Sequence, residues 1–314
     1  MSATPKLLAM RDAFGQALVD LAAEFPEMVV LDADVSASTK TAAFAKAHPS
    51  RFFNVGVAEA NMMDIAAGMA TAGLRPVVNT FSLFIMLKCA DQIRNTVCYN
   101  RLPVVLGATY GGLSDAYDGA THQSIMDVAM ARVMPHMAVI VAADAVEVRQ
   151  ALRLALRREG PTFIRLSRND SPVLFEDAEP LTLGKVRKLR GGKDLTIAVC
   201  GIPTVMAIEA AERLAGHGIA VDLLEVASIK PLDEEGLARS AAKTGCVLAV
   251  EEHSIYGGLG GAVAEALARR QPARMDFIGI EDRFTESGEY GALLAKYGIS
   301  VDAIVAKGRA LVGR

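Results

Sequence analysis

Residues 75–84 read Arg-Pro-Val-Val-Asn-Thr-Phe-Ser-Leu-Phe. The run 75–80 is short and rich in β-formers, which predicts a buried strand, and the helical stretch after it continues past Asp91. Similar runs occur on either side, at Met28–Asp32 and Leu102–Gly107. Short β-rich runs that alternate with amphipathic helical stretches are typical of a parallel sheet covered by helices.

The same alternation continues over the whole chain and predicts an α/β fold of two doubly wound, three-layer α/β/α domains with mostly parallel sheets. The strands predicted for the first domain are Met28–Asp32, Phe52–Val55, Arg75–Thr80, Leu102–Gly107, Ala138–Val141 and Thr162–Leu166. Its predicted helices are Pro5–Glu24, with Thr4 as N-cap, one that begins near Ala58, one near His122, and Asp144–Arg158. The strands predicted for the second domain are Leu195–Cys200, Ala220–Glu225, Cys246–Glu251 and Asp276–Ile280.

The segment between these halves contains Pro172, Pro180 and Gly191–Gly192, which interrupt any regular period. We therefore predict a first domain at residues 1–172, a linker at 173–194 and a second domain at 195–314. A chain of 314 residues has the length expected for two domains, and its 52% apolar content is enough for two cores.

Composition excludes several classes of function. The net charge of −3 gives no electrostatic footprint for nucleic acid. No apolar run approaches the ~20 residues of a membrane span, and the N-terminus does not have the pattern of a signal peptide. The four cysteines lack paired spacing, which predicts reduced thiols in a cytoplasmic protein without a zinc site.

A carboxylate begins a helix in the apolar segment Asn54–Met63, where Glu59 follows Val-Ala. Burial would raise the pKa of such an acid and suit it to proton exchange with a ring nitrogen. The alternative is structural, because an acid in a first helical turn also complements the helix dipole.

Two aromatic residues, Phe81 and Phe84, stand at i and i+3 where a strand passes into a helix. They share a helix face and could stack on a planar heterocycle at the carboxyl end of the sheet. The competing interpretation is a pair of core aromatics.

The loop 110–123 ends in Asp118-Gly-Ala-Thr-His122-Gln123 and follows a predicted strand. Loops in that position form ligand crevices in open α/β sheets, and an Asp with a His four residues on could polarise a hydroxylated substrate. An Asp-Gly turn explains residues 118–119 equally well but does not explain His122-Gln123.

Arg168 follows the last predicted strand of the first domain, in Leu166-Ser-Arg168. An arginine at that edge of a sheet suits a phosphate or a carboxylate, although a surface ion pair is the simpler alternative. A metal-bound pyrophosphate would need oxygen ligands such as Gly-Asp-Gly followed about thirty residues later by Asn. The sequence lacks that pattern, so we assign no metal ligand to this chain.

These segments follow one another in a particular order along the chain. They are the Glu59 segment, Pro76–Phe81, Asp118–Gln123, Leu166–Arg168 and Val250–Gly258. In this order they resemble the second and third domains of transketolases, over essentially the whole length. The resemblance implies a pyrimidine-binding domain of the thiamine-diphosphate fold followed by a transketolase C-terminal domain.

The resemblance also implies roles by position. Glu59 matches the glutamate that bonds the aminopyrimidine ring of thiamine diphosphate, and Phe81 and Phe84 match aromatics that pack against that ring. Asp118 and His122 match the pair that grips the donor ketose. The positions matching the substrate channel and the acceptor's phosphate are Arg11, Asp34, Ser38 and Arg168. Tyr110 stands where many transketolases have a phosphate-contacting His, and Ala60 replaces another His, so the acceptor stays open.

Because transketolases carry a further N-terminal domain, the chain resembles the C-terminal subunit of a split transketolase. The resemblance implies a transferase that moves a two-carbon ketol unit from a ketose to an aldose, each with or without phosphate. A partner subunit would carry Gly-Asp-Gly…Asn and bind most of the Mg²⁺ (or Ca²⁺), in an α2β2 heterotetramer. Three alternatives stay open: the β subunit of a 2-oxoacid dehydrogenase, a 1-deoxyxylulose-5-phosphate synthase-like enzyme, and a non-catalytic regulatory homologue.

Overall fold

A computed structural model describes residues 6–313 of the protein. Its strands are β1 (Leu7–Ala9), β2 (Met28–Asp32), β3 (Phe52–Asn54), β4 (Arg75–Phe81), β5 (Val105–Thr109), β6 (Ala138–Val141), β7 (Thr162–Arg165), β8 (Asp170–Pro172), β9 (Arg187–Arg190), β10 (Leu195–Val199), β11 (Val221–Glu225), β12 (Ser228–Lys230), β13 (Cys246–Ser254) and β14 (Arg274–Ile280). Its α-helices are α1 (Met10–Leu21), α2 (Ser36–Thr39), α3 (Ala42–Ala47), α4 (Glu59–Thr71), α5 (Ser82–Lys88), α6 (Ala90–Gln92), α7 (Asp127–Val133), α8 (Ala145–Arg157), α9 (Pro203–Gly216), α10 (Glu234–Thr244), α11 (Leu259–Arg270), α12 (Tyr290–Lys296) and α13 (Val301–Val312). A 3₁₀ turn at Pro49–Arg51 and a π-helical stretch at Ile93–Cys98 complete the regular structure.

The strands form two large sheets. One has seven strands in the order β12-β6-β7-β5-β4-β2-β3, and the other has five in the order β14-β13-β10-β11-β9. All neighbours are parallel except the edge pairs β12–β6 and β11–β9. A separate two-stranded ladder joins β1 to β8. The prediction of two doubly wound, mostly parallel α/β/α units is therefore confirmed.

The strand order of the larger sheet reverses at β2, which pairs with β3 on one side and with β4 on the other. Asp32, at the end of β2, lies opposite Asn54 of β3 and Asn79 of β4. The carboxyl ends of these parallel strands therefore meet at one edge. In open α/β sheets a reversal of this kind leaves a crevice beyond the strand ends, where ligands bind.

Helix α8 shows how sequence determines the packing. Asp144 caps it by accepting a hydrogen bond from the Glu147 backbone N–H at 2.8 Å. Val148 and Leu152 are fully buried and belong to one apolar cluster with Phe14 of α1. Because residues spaced three and four apart share a helix face, this pattern fixes α8 and α1 on the same side of the sheet.

Two predicted helix starts differ from the structure. Residues 7–9 form β1 instead of the first turn of a helix, because their backbone pairs with residues 170–172 across the chain. The predicted cap Thr4 and Pro5 lie outside residues 6–313. The helix predicted near His122 begins only at Asp127, because Gly112 and Ser124 exchange backbone hydrogen bonds of 2.9 Å and hold the intervening residues in a closed loop.

The two large sheets are interlocked by edge strands. Arg187–Arg190, inside the predicted linker, forms β9 of the five-stranded sheet, and Ser228–Lys230, from the predicted second domain, forms β12 of the seven-stranded sheet. Arg187 also contacts two buried acids, Glu147 at 2.5 Å and Glu225 at 3.4 Å. The domain boundaries at 172 and 195 therefore stay a prediction. Across residues 6–313, no helix has both the length and the apolar character needed to span a bilayer.

Candidate active site at the carboxyl edge of the larger sheet

Glu59 opens α4 directly after the loop that follows β3. Only 6% of the residue is exposed, and Lys88 Nζ at the end of α5 lies 2.6 Å from its Oε1. Lys88 also lies 4.2 Å from the ring centroid of Phe84, so the carboxylate and the aromatic ring share one cation. The strand reversal thus brings a buried acid beside an aromatic face.

Four rings form a continuous cluster next to this acid. Phe81 lies 4.4 Å from Tyr110 and 5.7 Å from Phe84, measured between ring centroids. His122 lies 5.1 Å from Phe84 in an edge-on arrangement. Its Nδ1 is 3.0 Å from the Thr121 hydroxyl. Such a cluster offers flat apolar surface and one imidazole to a planar ligand.

Beyond the rings, charged groups surround Tyr110. Arg11 donates a 2.7 Å hydrogen bond from Nη1 to the Tyr110 hydroxyl. The Arg168 guanidinium lies 5.1 Å from the Tyr110 ring centroid. Its Nη1 is 2.9 Å from Asp115 Oδ1 and 3.9 Å from Asp118 Oδ2. At this end of the crevice, two guanidinium groups and two carboxylates therefore lie around the Tyr110 phenol.

Asp115 is fully buried, whereas the Asp118 side chain is 55% exposed. Burial raises the pKa of Asp115 to about 7, the neighbouring Asp118 carboxylate adds to that increase, and Arg168 only partly opposes it. One oxygen of Asp115, Oδ2, is buried without a hydrogen-bond partner among the described residues. The Asp115 carboxyl group therefore balances the charge of Arg168 fully only above about pH 7.

A buried ion pair between Arg165 and Asp127 supports the loop that carries Asp118 and His122. Arg165 donates from Nε to Asp127 Oδ2 at 2.8 Å and from Nη2 to the backbone carbonyls of Ser124 and Glu252. Ser82, next to Phe81, donates to the same Asp127 oxygen at 2.6 Å. Burial alone would raise the pKa of Asp127, but the Arg165 guanidinium and His253 outweigh burial and lower it.

The second domain contributes Glu252 to this support. Its Oε1 accepts a 2.6 Å hydrogen bond from the Leu113 backbone N–H, and its Oε2 accepts one from the Tyr290 hydroxyl at 2.9 Å. Burial raises the pKa of Glu252 to about 7, although Arg165 and the Tyr290 hydrogen bond oppose the shift. The loop over the crevice is thus tied to both domains.

Of the residues predicted for the site, Asp34 and Ser38 lie at the neighbouring part of the sheet edge, after β2. Asp34 bonds the Asn54 amide at 2.8 Å and has a left-handed backbone, with φ of 63°. Ser38 lies in the short helix α2, which begins two residues after Asp34. Buried Asp32 fixes this segment by accepting a 2.7 Å hydrogen bond from the Thr39 hydroxyl. The remaining predicted residues form the contiguous set described above.

Sequence reasoning did not single out Lys88, Asp115, Asp127 or Glu252. Lys88 stands four residues after Phe84, so helical spacing could have placed it on the same face. The unusual acid of Ser114-Asp-Ala-Tyr117 could have drawn attention to Asp115. Nothing local identifies Asp127 or Glu252, because their partners are distant in the chain.

The residues present fit one end of thiamine diphosphate, the aminopyrimidine ring. A buried carboxylate stands beside Phe81 and Phe84, as a flat ring with hydrogen-bonding nitrogens requires. Among residues 6–313, no group of three or more His, Cys, Asp or Glu side chains could hold a metal ion.

Comparison with known proteins defines the class to which this fold and site belong. The transketolase pyrimidine-binding domain model matches residues 6–173, and the transketolase C-terminal domain model matches residues 184–304. The chain belongs to the transketolase family.

Within the family, the chain is similar to the C-terminal parts of transketolases made as separate chains. A solved split-gene transketolase, an inactive β4 tetramer, superposes with a TM-score of 0.90 at 45% identity and 98% coverage of both chains. A protein of Methanocaldococcus jannaschii, provisionally named a transketolase C-terminal section, is 41% identical over 94% of this chain and 93% of its own. The 6-deoxy-6-sulfo-D-fructose transketolase subunit SqwH of Clostridium sp. (strain MSTE9) is 38% identical over 94% of this chain and 92% of its own.

Proposed function

We propose that this chain is one subunit of a heteromeric, thiamine-diphosphate-dependent transketolase that transfers a two-carbon ketol unit from a ketose to an aldose. One observation carries the proposal: buried Glu59, the rings of Phe81 and Phe84, and the pair Asp118 and His122 all lie along one crevice edge. The Glu59–Lys88 ion pair offsets the cost of burying this acid, so the proposal depends on the whole combination and not on burial alone.

The cofactor, when bound, supplies the carbanion chemistry of ketol transfer. Glu59 would hydrogen-bond a pyrimidine nitrogen and hold or release a proton there, in a site from which Phe81 and Phe84 exclude water. His122, fixed through Nδ1 by the Thr121 hydroxyl, would donate to or accept from a substrate oxygen. Asp118, which is half exposed, would bind a substrate hydroxyl.

The partner in this proposal is an N-terminal transketolase subunit with the Gly-Asp-Gly…Asn motif, which would hold the pyrophosphate and Mg²⁺. The similarity to a split-gene transketolase supports a two-chain enzyme, and we propose an α2β2 arrangement in the cytoplasm. The cofactor would then lie between this chain's first domain and the partner.

The test is Glu59→Gln in the complex reconstituted with the partner chain. The amide keeps the size of the side chain but cannot take up the proton, so ketol transfer should fall by at least about 100-fold while the complex still assembles. Transfer is followed by ketose formation over a panel of sugar donors and acceptors. Gln16→Asn, an exposed helix position, serves as the matched control and should be unchanged.

Near-normal turnover of Glu59→Gln would contradict the proposal. The alternatives give separate results with the wild-type complex. Oxidation of pyruvate with a dye acceptor would indicate a 2-oxoacid dehydrogenase β subunit. Condensation of pyruvate with glyceraldehyde 3-phosphate would indicate a 1-deoxyxylulose-5-phosphate synthase. No turnover with any substrate, in a complex that assembles, would favour a regulatory homologue.

A further inference from the structure

Arg168 has a buried counter-ion. Its Nη1 lies 2.9 Å from Asp115 Oδ1, and Asp115 is fully buried while Arg168 is one-third exposed. The outer side of the Arg168 guanidinium therefore faces the crevice, and ionised Asp115 balances its charge on the protein side. Asp118, with an oxygen 3.9 Å from the same nitrogen, adds a second negative charge on the crevice side.

The other cation at this end, Arg11, is also engaged. It donates to the Tyr110 hydroxyl at 2.7 Å, and the Tyr110 ring lies between the two guanidinium groups, 5.8 Å from Arg11 and 5.1 Å from Arg168. The backbone of Tyr110 has φ of 63°, a conformation that a bulky residue adopts only when its surroundings hold it there. The Tyr110 phenol is therefore a fixed part of the crevice wall.

When Asp115 is ionised, above about pH 7, the formal charges at this end sum to zero, since Arg11 and Arg168 are matched by Asp115 and Asp118. A site built for a phosphate dianion has the opposite design, with cations whose charge is uncompensated. Here a dianion bound to Arg168 would approach a carboxylate that cannot move into solvent. Low local dielectric strengthens that repulsion.

We propose that Asp115 is a specificity-determining residue, and that this end of the site accepts an aldose with an uncharged, hydroxyl-bearing tail in preference to a phosphorylated one. The inference rests on the proposed ketol transfer and names its acceptor class. The outer face of Arg168 and the exposed Asp118 carboxylate are the donor and the acceptor that such a tail would use.

Asp115 could have the opposite effect if its role were to orient Arg168 for phosphate. The two roles predict opposite changes on removing its charge. Asp115→Asn keeps the shape and one hydrogen-bond acceptor for Arg168 but removes the negative charge. Relief of repulsion would improve phosphorylated acceptors, whereas loss of orientation would weaken them.

The experiment uses the complex with its partner chain and hydroxypyruvate as donor, at about pH 8, where Asp115 is ionised. Hydroxypyruvate loses its carboxyl group as CO₂, and its ketol carbon forms a bond to the acceptor's aldehyde carbon, whose oxygen takes up a proton. The donor therefore leaves no tail in the acceptor subsite. Acceptors are D-glyceraldehyde, its 3-phosphate and its 3-sulfonate analogue, and kcat/KM is measured for each.

We expect the wild type to use glyceraldehyde at least as well as its 3-phosphate. Asp115→Asn should raise the phosphate-to-hydroxyl ratio of kcat/KM by about tenfold or more, which is the effect of one nearby unit charge. The sulfonate, with a single charge, should show a smaller increase. In an Arg168→Gln background the same Asp115→Asn change should still raise the ratio, because relief of repulsion does not depend on Arg168, and exposed Asp177→Asn is the charge-matched control.

A wild-type enzyme that prefers the phosphate by more than tenfold would overturn the inference, even if Asp115→Asn did not fold. A fall in the ratio on Asp115→Asn would overturn it too, since it would make Asp115 an orienting residue. Both results leave ketol transfer itself standing. Absence of transfer to any of the three acceptors would instead remove the proposed function, and this inference with it.

Discussion

At Gly112 the loop over the crevice makes its closest approach to the second domain. Its backbone has φ of +65°, and an added Cβ would lie 2.4 Å from Glu252 Oε1. Glycine tolerates both conditions because it has no side chain. The hydrogen bond from Leu113 N–H to Glu252 depends on this approach.

Gly112→Ala should therefore destabilise the protein by about 2 kcal/mol or more, from left-handed strain and the clash with a buried carboxylate. The midpoint of thermal unfolding measures it. Gly68→Ala is the matched control, since a Cβ on this helical glycine meets nothing within 4 Å. That control should be neutral or stabilising by about 0.5–1 kcal/mol. Equal midpoints for the two variants would mean that the loop does not need this close approach.

At the scale of elements, the loop 110–126 is a clamp between β7 of the first domain and β13 of the second. Arg165 of β7 donates to the Ser124 and Glu252 carbonyls, and Glu252 of β13 accepts from Leu113. A loop with both ends fixed in this way keeps Asp118 and His122 in place without secondary structure of its own.

This clamp should weaken as pH rises. Folding raises the pKa of Glu252 from 4.5 to about 7, so the folded protein holds a proton that the unfolded chain releases. The contribution is complete below about pH 4.5 and is lost as pH rises through about 7, by at most about 3 kcal/mol. Glu252→Gln mimics the protonated form and should flatten that part of the stability curve.

The comparison is the thermal midpoint of the wild type and of Glu252→Gln between pH 5 and 8. The pKa of Asp115 is raised in the same direction, but it titrates in both proteins, so the difference between the curves isolates Glu252. Parallel curves would show that Glu252 does not titrate in this range.

At the scale of the whole molecule, we propose that the chain provides half of a cofactor site. Glu59 and its aromatic neighbours suit a pyrimidine ring, whereas the sequence lacks the Gly-Asp-Gly…Asn pattern that would anchor a metal-bound pyrophosphate. A charged diphosphate contributes much of the binding free energy of such a ligand through its metal.

The isolated chain should therefore bind magnesium thiamine diphosphate at least about a hundredfold more weakly than the complex with its partner, a difference of roughly 3 kcal/mol. Isothermal titration calorimetry of the chain, the partner and their mixture measures this. The mixture should also elute as a single species that contains both chains. Tight binding and turnover by the isolated chain would rule out the half-site arrangement.

Local sequence predicted the elements well where burial and capping act over short distances. The strands Met28–Asp32 and Ala138–Val141 were predicted with the bounds that the structure has, because continuous apolar runs mark strands buried on both faces. Helix α8 was predicted within one residue at each end, since Asp144 caps it and its apolar period is regular.

By itself, the sequence determined the α/β class, the positions of the strand-forming segments along the chain, and the residues whose types suit the proposed ketol chemistry. Only tertiary structure decided which groups meet: Asp115 with Arg168, Glu252 with the Leu113 backbone N–H, and Arg187 with Glu147. The physical reason is that periods and caps act within a few residues, whereas these hydrogen bonds and ion pairs join residues 40 to 139 apart once the sheets have brought them together.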